Sequence, residues 1–216
     1  MGKSFFDQPW FRPFQQGWMI LAPLAVLSVF LARWFPRLSA AVMVMNGLIA
    51  LTFRDPEREI QRDANLALAP ADGRVMRVDT IWDDYWQREL LEISIFLAIW
   101  DVHVQRAPID GHVVGQTRKH GANRPAMTEA AARLNNQILT YYDTAHGPVT
   151  VNQITGMVAR RLINWTPVGT SSKQGDRLGM IVLGSQVALR VDPTAQPLVW
   201  PGDIARAGMT PLVRFR

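Results

Sequence analysis

Residues 70–75 read Pro-Ala-Asp-Gly-Arg-Val, and residues 108–113 return to the pattern as Pro-Ile-Asp-Gly-His-Val. Asp-Gly is a turn dipeptide, because glycine takes positive φ without strain and aspartate can bond its own backbone. In each copy the turn opens onto an apolar stretch, so the unit is a turn followed by a strand. A second echo repeats the device farther along: Gly175-Asp176 with Gly179, and Gly202-Asp203 with Gly208.

From Arg54 onward the whole chain has this texture, with short apolar runs broken by Gly, Pro and Asp. Strands are predicted at Val75 to Ile81, Leu90 to Ala98, Gly111 to Val114, Gln137 to Tyr142, Val149 to Ile154 and Met180 to Val191. Thr128 to Asn136 is the one helical patch, set in a polar stretch that also reads as a loop. The fold class is therefore mainly β (α+β). The turn–strand units resemble the β-sandwiches of lipoyl and biotinyl carrier domains, so a β-sandwich or barrel is expected for 54–216.

The first 53 residues are different. Gly17 to Ala32 and Leu38 to Phe53 are two charge-free apolar runs, separated by Arg33, Trp34, Pro36 and Arg37. Each is near 16 residues, about 24 Å as a helix, against a hydrocarbon core of about 30 Å. Residues 1–53 are thus expected to form a hydrophobic helical hairpin that either spans the bilayer or dips into it. The absence of a polar stripe on either run favours lipid over a one-sided protein core. Lys3 and Arg12 before the hairpin, and Arg54, Arg58 and Arg62 after it, outnumber Arg33 and Arg37 in its turn. That excess places both ends on the cytoplasmic side of the cell membrane.

The formal net charge of +5 over 216 residues asks for an anionic partner, either nucleic acid or acidic lipid. No dense basic run with interleaved aromatics occurs, nor any zinc-finger or RNA-binding signature, so nucleic acid is not expected. With no cysteine, a disulfide framework, a thiolate nucleophile and Cys-ligated zinc are excluded. His103, His112, His120 and His146 never fall at paired metal spacing, and no metal is expected. G-x-S-x-G, Walker, H-E-x-x-H and dinucleotide motifs are all missing.

What remains is Gly184-Ser185 inside the run Gly179 to Val187. Glycine weakens a strand and serine adds no packing, so the step marks either a bulge or close backbone approach, or a self-cleavage site. In the second case Ser185 Oγ attacks the carbonyl of Gly184, where no Cβ obstructs it. The peptide becomes an ester, elimination leaves dehydroalanine, and hydrolysis yields a pyruvoyl group.

Five stretches decide how this step is read. They are Phe53-Arg54-Asp55-Pro56-Glu57-Arg58, Ala69-Pro70-Ala71-Asp72-Gly73, Asp101 to Pro108 (DVHVQRAP), Gln153 to Arg161 (QITGMVARR), and Gly179-Met180-Ile181 through Gly184-Ser185. In this order, and over nearly the whole chain, they closely resemble the short bacterial form of the phosphatidylserine decarboxylase proenzyme. The resemblance departs at Arg106, where longer members have a second histidine. It departs again around the cut, where Val182, Leu183, Gln186 and Ala188 replace the usual residues.

The resemblance implies a cut between Gly184 and Ser185, giving a large chain 1–184 that stays associated with a small pyruvoyl chain 185–216. Position 185 would then form a Schiff base with the serine head of phosphatidylserine, with no added cofactor. Asp72 and His103 are implied to serve Ser185, since a histidine can take the hydroxyl proton and a carboxylate can orient the imidazole. Taken alone, Asp72 also reads as a turn residue and His103 as a satisfied core histidine. Arg160 and Arg161 are candidate partners of the lipid phosphate, and strand alternation would turn only one of them inward. The rival reading is a non-enzymatic, membrane-tethered, carrier-like scaffold in which Gly184-Ser185 is only a bulge.

Overall fold

The computed structural model describes residues 11–157, 161–182 and 185–216, and they divide between two compact units that meet in sequence at Glu57/Arg58. The first unit is a pair of helices, α1 (Arg12–Ala32) and α2 (Pro36–Thr52). Each starts with a proline in its first turn, where the missing N–H costs nothing. The first helix is longer than the charge-free run: it reaches back to Arg12 because Phe14, Gln15 and Gln16 carry nothing that stops a helix. At 21 residues it extends about 31 Å, enough to cross a bilayer, whereas the 17 residues of α2 fall short of that. Trp18, Val26, Val29, Phe30, Val44 and Leu48 are exposed along the pair. Two polar side chains tie the helices together: Ser39 Oγ donates to Ser28 O (2.7 Å) and Asn46 Nδ2 to Leu21 O (3.2 Å). Such bonds leave little polar surface facing outward.

The second unit is mainly β. In chain order its elements are β1 (Leu66–Leu68), β2 (Gly73–Asp83), β3 (Arg88–Leu97), β4 (Val104–Arg106), β5 (Gly111–Lys119) and α3 (Glu129–Leu134). There follow β6 (Gln137–Thr144), β7 (Gly147–Thr155), β8 (Arg161–Asn164), β9 (Ser171–Ser172), β10 (Arg177–Val182) and β11 (Ser185–Val191). The last are β12 (Gln196–Pro197), β13 (Ile204–Ala205) and β14 (Pro211–Arg214). An eight-stranded sheet runs β13-β2-β3-β11-β7-β6-β5-β9 and curls into a half-barrel. Two small sheets, β4-β10-β8 and β1-β14-β12, complete the sandwich, and every strand pair is antiparallel.

The expected continuous strand Met180 to Val191 is instead two strands in different sheets. Both are buried on both faces, so their residues read as one apolar run although the chain changes sheet between Val182 and Ser185. Strand β5 runs on to Lys119, past the expected end at Val114, because its polar half pairs with β6 while facing solvent. The helical patch shortens to α3.

The echo seen in the sequence has a physical basis. Asp72 Oδ1 accepts from the N–H of Ala207 (2.8 Å), and Asp110 Oδ1 accepts from the N–H of Gln174 (2.6 Å). Each acceptor therefore caps the residue before a glycine of the second echo, Gly208 and Gly175. Those glycines have φ of +70° and +86°, and a Cβ on either would strike Ile60. Their N–H groups donate to Ala69 O and Ala107 O, both at 2.8 Å. The two halves of the domain interlock through equivalent turns.

The core lies between the sheets. Leu91, Ile93, Ile95 and Leu97 from β3, Val187 and Leu189 from β11, Val149 and Val151 from β7, and Ile181 from β10 belong to one buried cluster. The opposite face of the large sheet is polar. There Arg190 bonds Glu92 (2.8 Å) and Asp83 (2.9 Å), and Arg77 bonds Glu92 (2.7 Å). Burial alone would lower the Arg190 pKa, but the two carboxylates more than reverse this, so the guanidinium stays charged.

Candidate active site

Ser185 opens β11, paired on one side with Leu97 of β3 and on the other with Thr155 of β7. Its side chain is fully buried, and its Oγ has no hydrogen-bond partner among the described residues. A buried hydroxyl without a partner costs free energy, so natural structures rarely tolerate one without a function. Alternation along β11 puts Ser185 on the same face as Val187 and Leu189, which is the interior face.

His103 reaches that interior from the facing sheet. It directly precedes β4, and the N–H of Ile181 donates to its carbonyl (3.2 Å), so the ladder between β4 and β10 extends to it. Its ring is fully buried. Nδ1 lies 2.8 Å from Asp101 O, and since a carbonyl can only accept, this bond requires a proton on Nδ1.

A chain of buried amides joins the two sheets at this level. Gln105 Nε2 donates to His103 O (2.7 Å), and Gln153 Nε2 donates to Gln105 Oε1 (2.9 Å) and Ile163 O (3.2 Å). Asn164 Nδ2 continues it to Thr140 Oγ1 (2.8 Å). Gln153 pairs with Val187, two residues along from Ser185, while Gln105 stands two residues from His103. The serine and the histidine therefore lie on the same interior layer, one residue pair beyond the amide bridge. Asn135 Nδ2 bonds Thr155 O (2.7 Å) and holds the segment before β6 against the Ser185 row.

Asp72 stands in an ion pair. Arg58 holds both its oxygens, Nη1 on Oδ1 (2.7 Å) and Nη2 on Oδ2 (2.8 Å), and Ala207 N–H shares Oδ1. The imidazole takes its orientation from the Asp101 carbonyl, not from this carboxylate. Asp72 nonetheless lies at the Ser185 end of the sheet, just before β2, whose Arg74 pairs with Phe96 beside the Leu97–Ser185 row. Its echo Asp110 caps a turn without an arginine clamp, so the Arg58 pair is what sets Asp72 apart.

Gly184 and Arg160 lie outside the described residues. Arg161 is exposed at the start of β8 and pairs with Val182, the last residue before the crossing. Arg106, which stands where longer relatives carry a second histidine, is buried and donates to Gly175 O (3.0 Å). Among the described residues no cluster of His, Cys, Asp and Glu could hold a metal ion. Sequence reasoning gave no role at the site to Arg58, Gln105, Gln153, Asn164 or Asn135. One of these could have been flagged, since Gln153 is a polar residue inside the strand predicted at Val149 to Ile154.

The chain is similar to known proteins along most of its length. Residues 45–213 match the family model described as phosphatidylserine decarboxylase. The chain is 33% identical over 220 residues to the phosphatidylserine decarboxylase proenzyme of Nitrosomonas eutropha, covering all of both chains. It is 35% identical over 204 residues to that of Paraburkholderia xenovorans, covering 93% of this chain and 96% of the relative. A putative archaetidylserine decarboxylase proenzyme from Methanopyrus kandleri is 36% identical over 208 residues, with 92% and 97% covered.

Proposed function

The chain belongs to the phosphatidylserine decarboxylase family, and from that membership we propose that it cuts itself at Gly184–Ser185 and decarboxylates phosphatidylserine through the group left at position 185. The observation that carries this reading is the buried, unpartnered Oγ of Ser185, at the point where the chain leaves one sheet for the other. A plain bulge would have no use for such an oxygen.

In the cut, Nε2 of His103 takes the Ser185 hydroxyl proton as Oγ adds to the Gly184 carbonyl. The peptide C–N bond breaks, the proton passes to the new amine, and Gly184 is left as an ester of Ser185. Removal of the α-proton of Ser185 then expels the Gly184 carboxylate and leaves dehydroalanine. Water converts this to a pyruvoyl group with loss of ammonia. Asp72, held by Arg58, supplies fixed negative charge at the same end of the sheet, suited to stabilising an imidazolium.

The pyruvoyl ketone supplies the electron sink for loss of carbon dioxide from the serine head. The fit is good, because position 185, whose Cα would become the ketone carbon, is already fully buried, and among the described residues no charged side chain bonds to its side chain. His103 is positioned to return a proton to the substrate carbon as the product leaves. Arg161, exposed at the start of β8, or else Arg160, would receive the lipid phosphate. The relatives' printed names include both phosphatidylserine and archaetidylserine, and the proposed chemistry requires only the serine head they have in common.

The test is a denaturing gel with intact mass. Wild-type protein should show fragments 1–184 and 185–216, the second with a blocked N-terminus whose ketone is trapped by hydroxylamine. An intact chain with an ordinary serine at 185 would return the molecule to the scaffold reading.

Localisation follows from the first unit. Its helices and the flanking Arg54, Arg58 and Arg62 support a cell-membrane enzyme facing the cytoplasm, working on anionic lipid. Deleting 17–53 should move the protein from the membrane pellet to the supernatant. Unchanged sedimentation would remove the hairpin as the main anchor.

A further inference from the structure

The end of the large sheet at which Ser185 lies is ringed by large, exposed apolar side chains. Ile99 (53% exposed) and Trp100 (70%) form the turn just after Leu97, the residue paired with Ser185. Met157 (61%) follows Thr155, its other pair partner, and Ile204 (60%) pairs with Arg74 at the sheet edge. Leu134 precedes Asn135, which bonds Thr155. Single exposed apolar residues are ordinary, but five at one end of one sheet are not.

Charge follows the same division. Arg74, Arg161, Arg118 and Lys119 are exposed at this end, Lys119 pairing with the first residue of β6. The carboxylates close by are turned onto their own turns: Asp101 accepts from Ala98 N–H and Asp203 from Trp200 N–H, both at 2.8 Å. The opposite end, with the β2–β3 and β6–β7 turns, exposes Asp84, Glu89 and Asp143, and the exposed arginine of that hairpin, Arg88, is paired with Asp192 (2.6 Å). Apolar residues ringed by arginine and lysine, with a tryptophan among them, are the composition of a surface that sits at the headgroup level of an anionic bilayer.

We propose that this rim, led by Ile99 and Trp100, is a second membrane contact of the protein, which docks the Ser185 end of the β domain on an anionic lipid surface. It rests on the proposed function in one respect. A diacyl substrate keeps its chains in the bilayer, so a fully buried reactive residue must be brought down to the headgroup. The contact itself is a property of the surface and can be read without turnover.

The chain has no cysteine, so a single introduced thiol is labelled uniquely. Trp100→Cys carrying an environment-sensitive fluorophore is placed in the full chain, reconstituted in vesicles of phosphatidylglycerol and phosphatidylcholine. Trp82→Cys, on the exposed β2–β3 hairpin at the far end, is the control. The label at 100 should shift to the blue and be quenched by brominated lipid, and the label at 82 should not. Equal response at both sites, or none at 100, overturns the proposal. A shift that follows protein concentration and not lipid assigns the rim to a second copy and also overturns it. In activity, Ile99→Ser with Trp100→Ser should lower kcat/KM on vesicle phosphatidylserine about tenfold or more, the scale of losing two apolar anchors. Self-cleavage and turnover of a monomeric short-chain phosphatidylserine should stay unchanged. Equal loss on both substrates would make the loop part of the site and sink the membrane reading. A wild type that neither cuts nor turns over would sink the proposed function while leaving the fluorescence result to stand by itself.

Discussion

Replacing Ser185 by alanine is expected to leave one uncut chain with no decarboxylase activity. Cleavage needs a nucleophile beside the Gly184 carbonyl, and the later elimination needs an oxygen on Cβ that can leave. Alanine has neither. Turnover should fall by about a thousandfold or more, to background, the usual result of removing a covalent participant. Folding should survive, because the lost Oγ has no hydrogen-bond partner among the described residues, and stability should stay within about 1 kcal/mol of the uncut wild type. Ser185→Thr keeps the hydroxyl but adds a methyl in a fully buried position, so it should cut slowly and leave a bulkier, poorly accommodated ketone. A gel and a carbon dioxide assay check all three statements. Cleavage or turnover in the alanine variant would end the pyruvoyl account.

The second large effect is expected at His103. His103→Ala should slow self-cleavage by about a hundredfold or more, the range for loss of a positioned base. Where slow cleavage still delivers mature enzyme, turnover should fall as well. His103→Gln is the sharper variant, because its amide can still donate to Asp101 O while offering no base. Wild-type rates in the glutamine variant would remove His103 from the chemistry and leave it a packing residue. Asp72 needs a comparison, since its removal leaves Arg58 charged and part-buried, at a cost of about 3 kcal/mol. Arg58→Gln breaks the same pair from the other side. If Asp72→Asn slows the cut far more than Arg58→Gln at matched thermal stability, the carboxylate acts on the reaction. If both cut at the wild-type rate, Asp72 is only the cap and clamp of its turn.

The legible part of this molecule was the part built from local rules. Asp-Gly turns, apolar runs of strand length and two charge-free helices can each be recognised within a window of a few residues. The two P-x-D-G-x-V turns even announced their equivalence, which the matching caps on Ala207 and Gln174 explain. Illegible were the features that depend on what meets across the fold. Strands β10 and β11 are both buried on both faces, so no change of period marks the passage between sheets after Val182 and before Ser185. Strands of two or three residues, such as β9, β12 and β13, are too short to show any period. At the site, Ser185 stood out because serine interrupts an apolar run. The clamp of Arg58 on Asp72 bridges 14 positions with no spacing rule behind it, and the Gln105–Gln153 bridge spans 48. Family resemblance supplied what pattern could not, and it too was silent about those partners.

The place of β11 has a further consequence. It lies between β3 and β7 in the large sheet, while β13 and β14, which follow it, pair with β2 and β1. A precursor folds as one chain, by a first-order reaction indifferent to dilution. Once severed before β11, the same architecture is a heterodimer whose smaller member contributes strands to two separate sheets. Its unfolding releases two molecules, so the midpoint should fall as protein is diluted, and its refolding should slow in the same proportion. The uncut Ser185→Ala chain should show neither dependence. Maturation would thus leave the contacts nearly as they were and change the order of the reaction that can restore them.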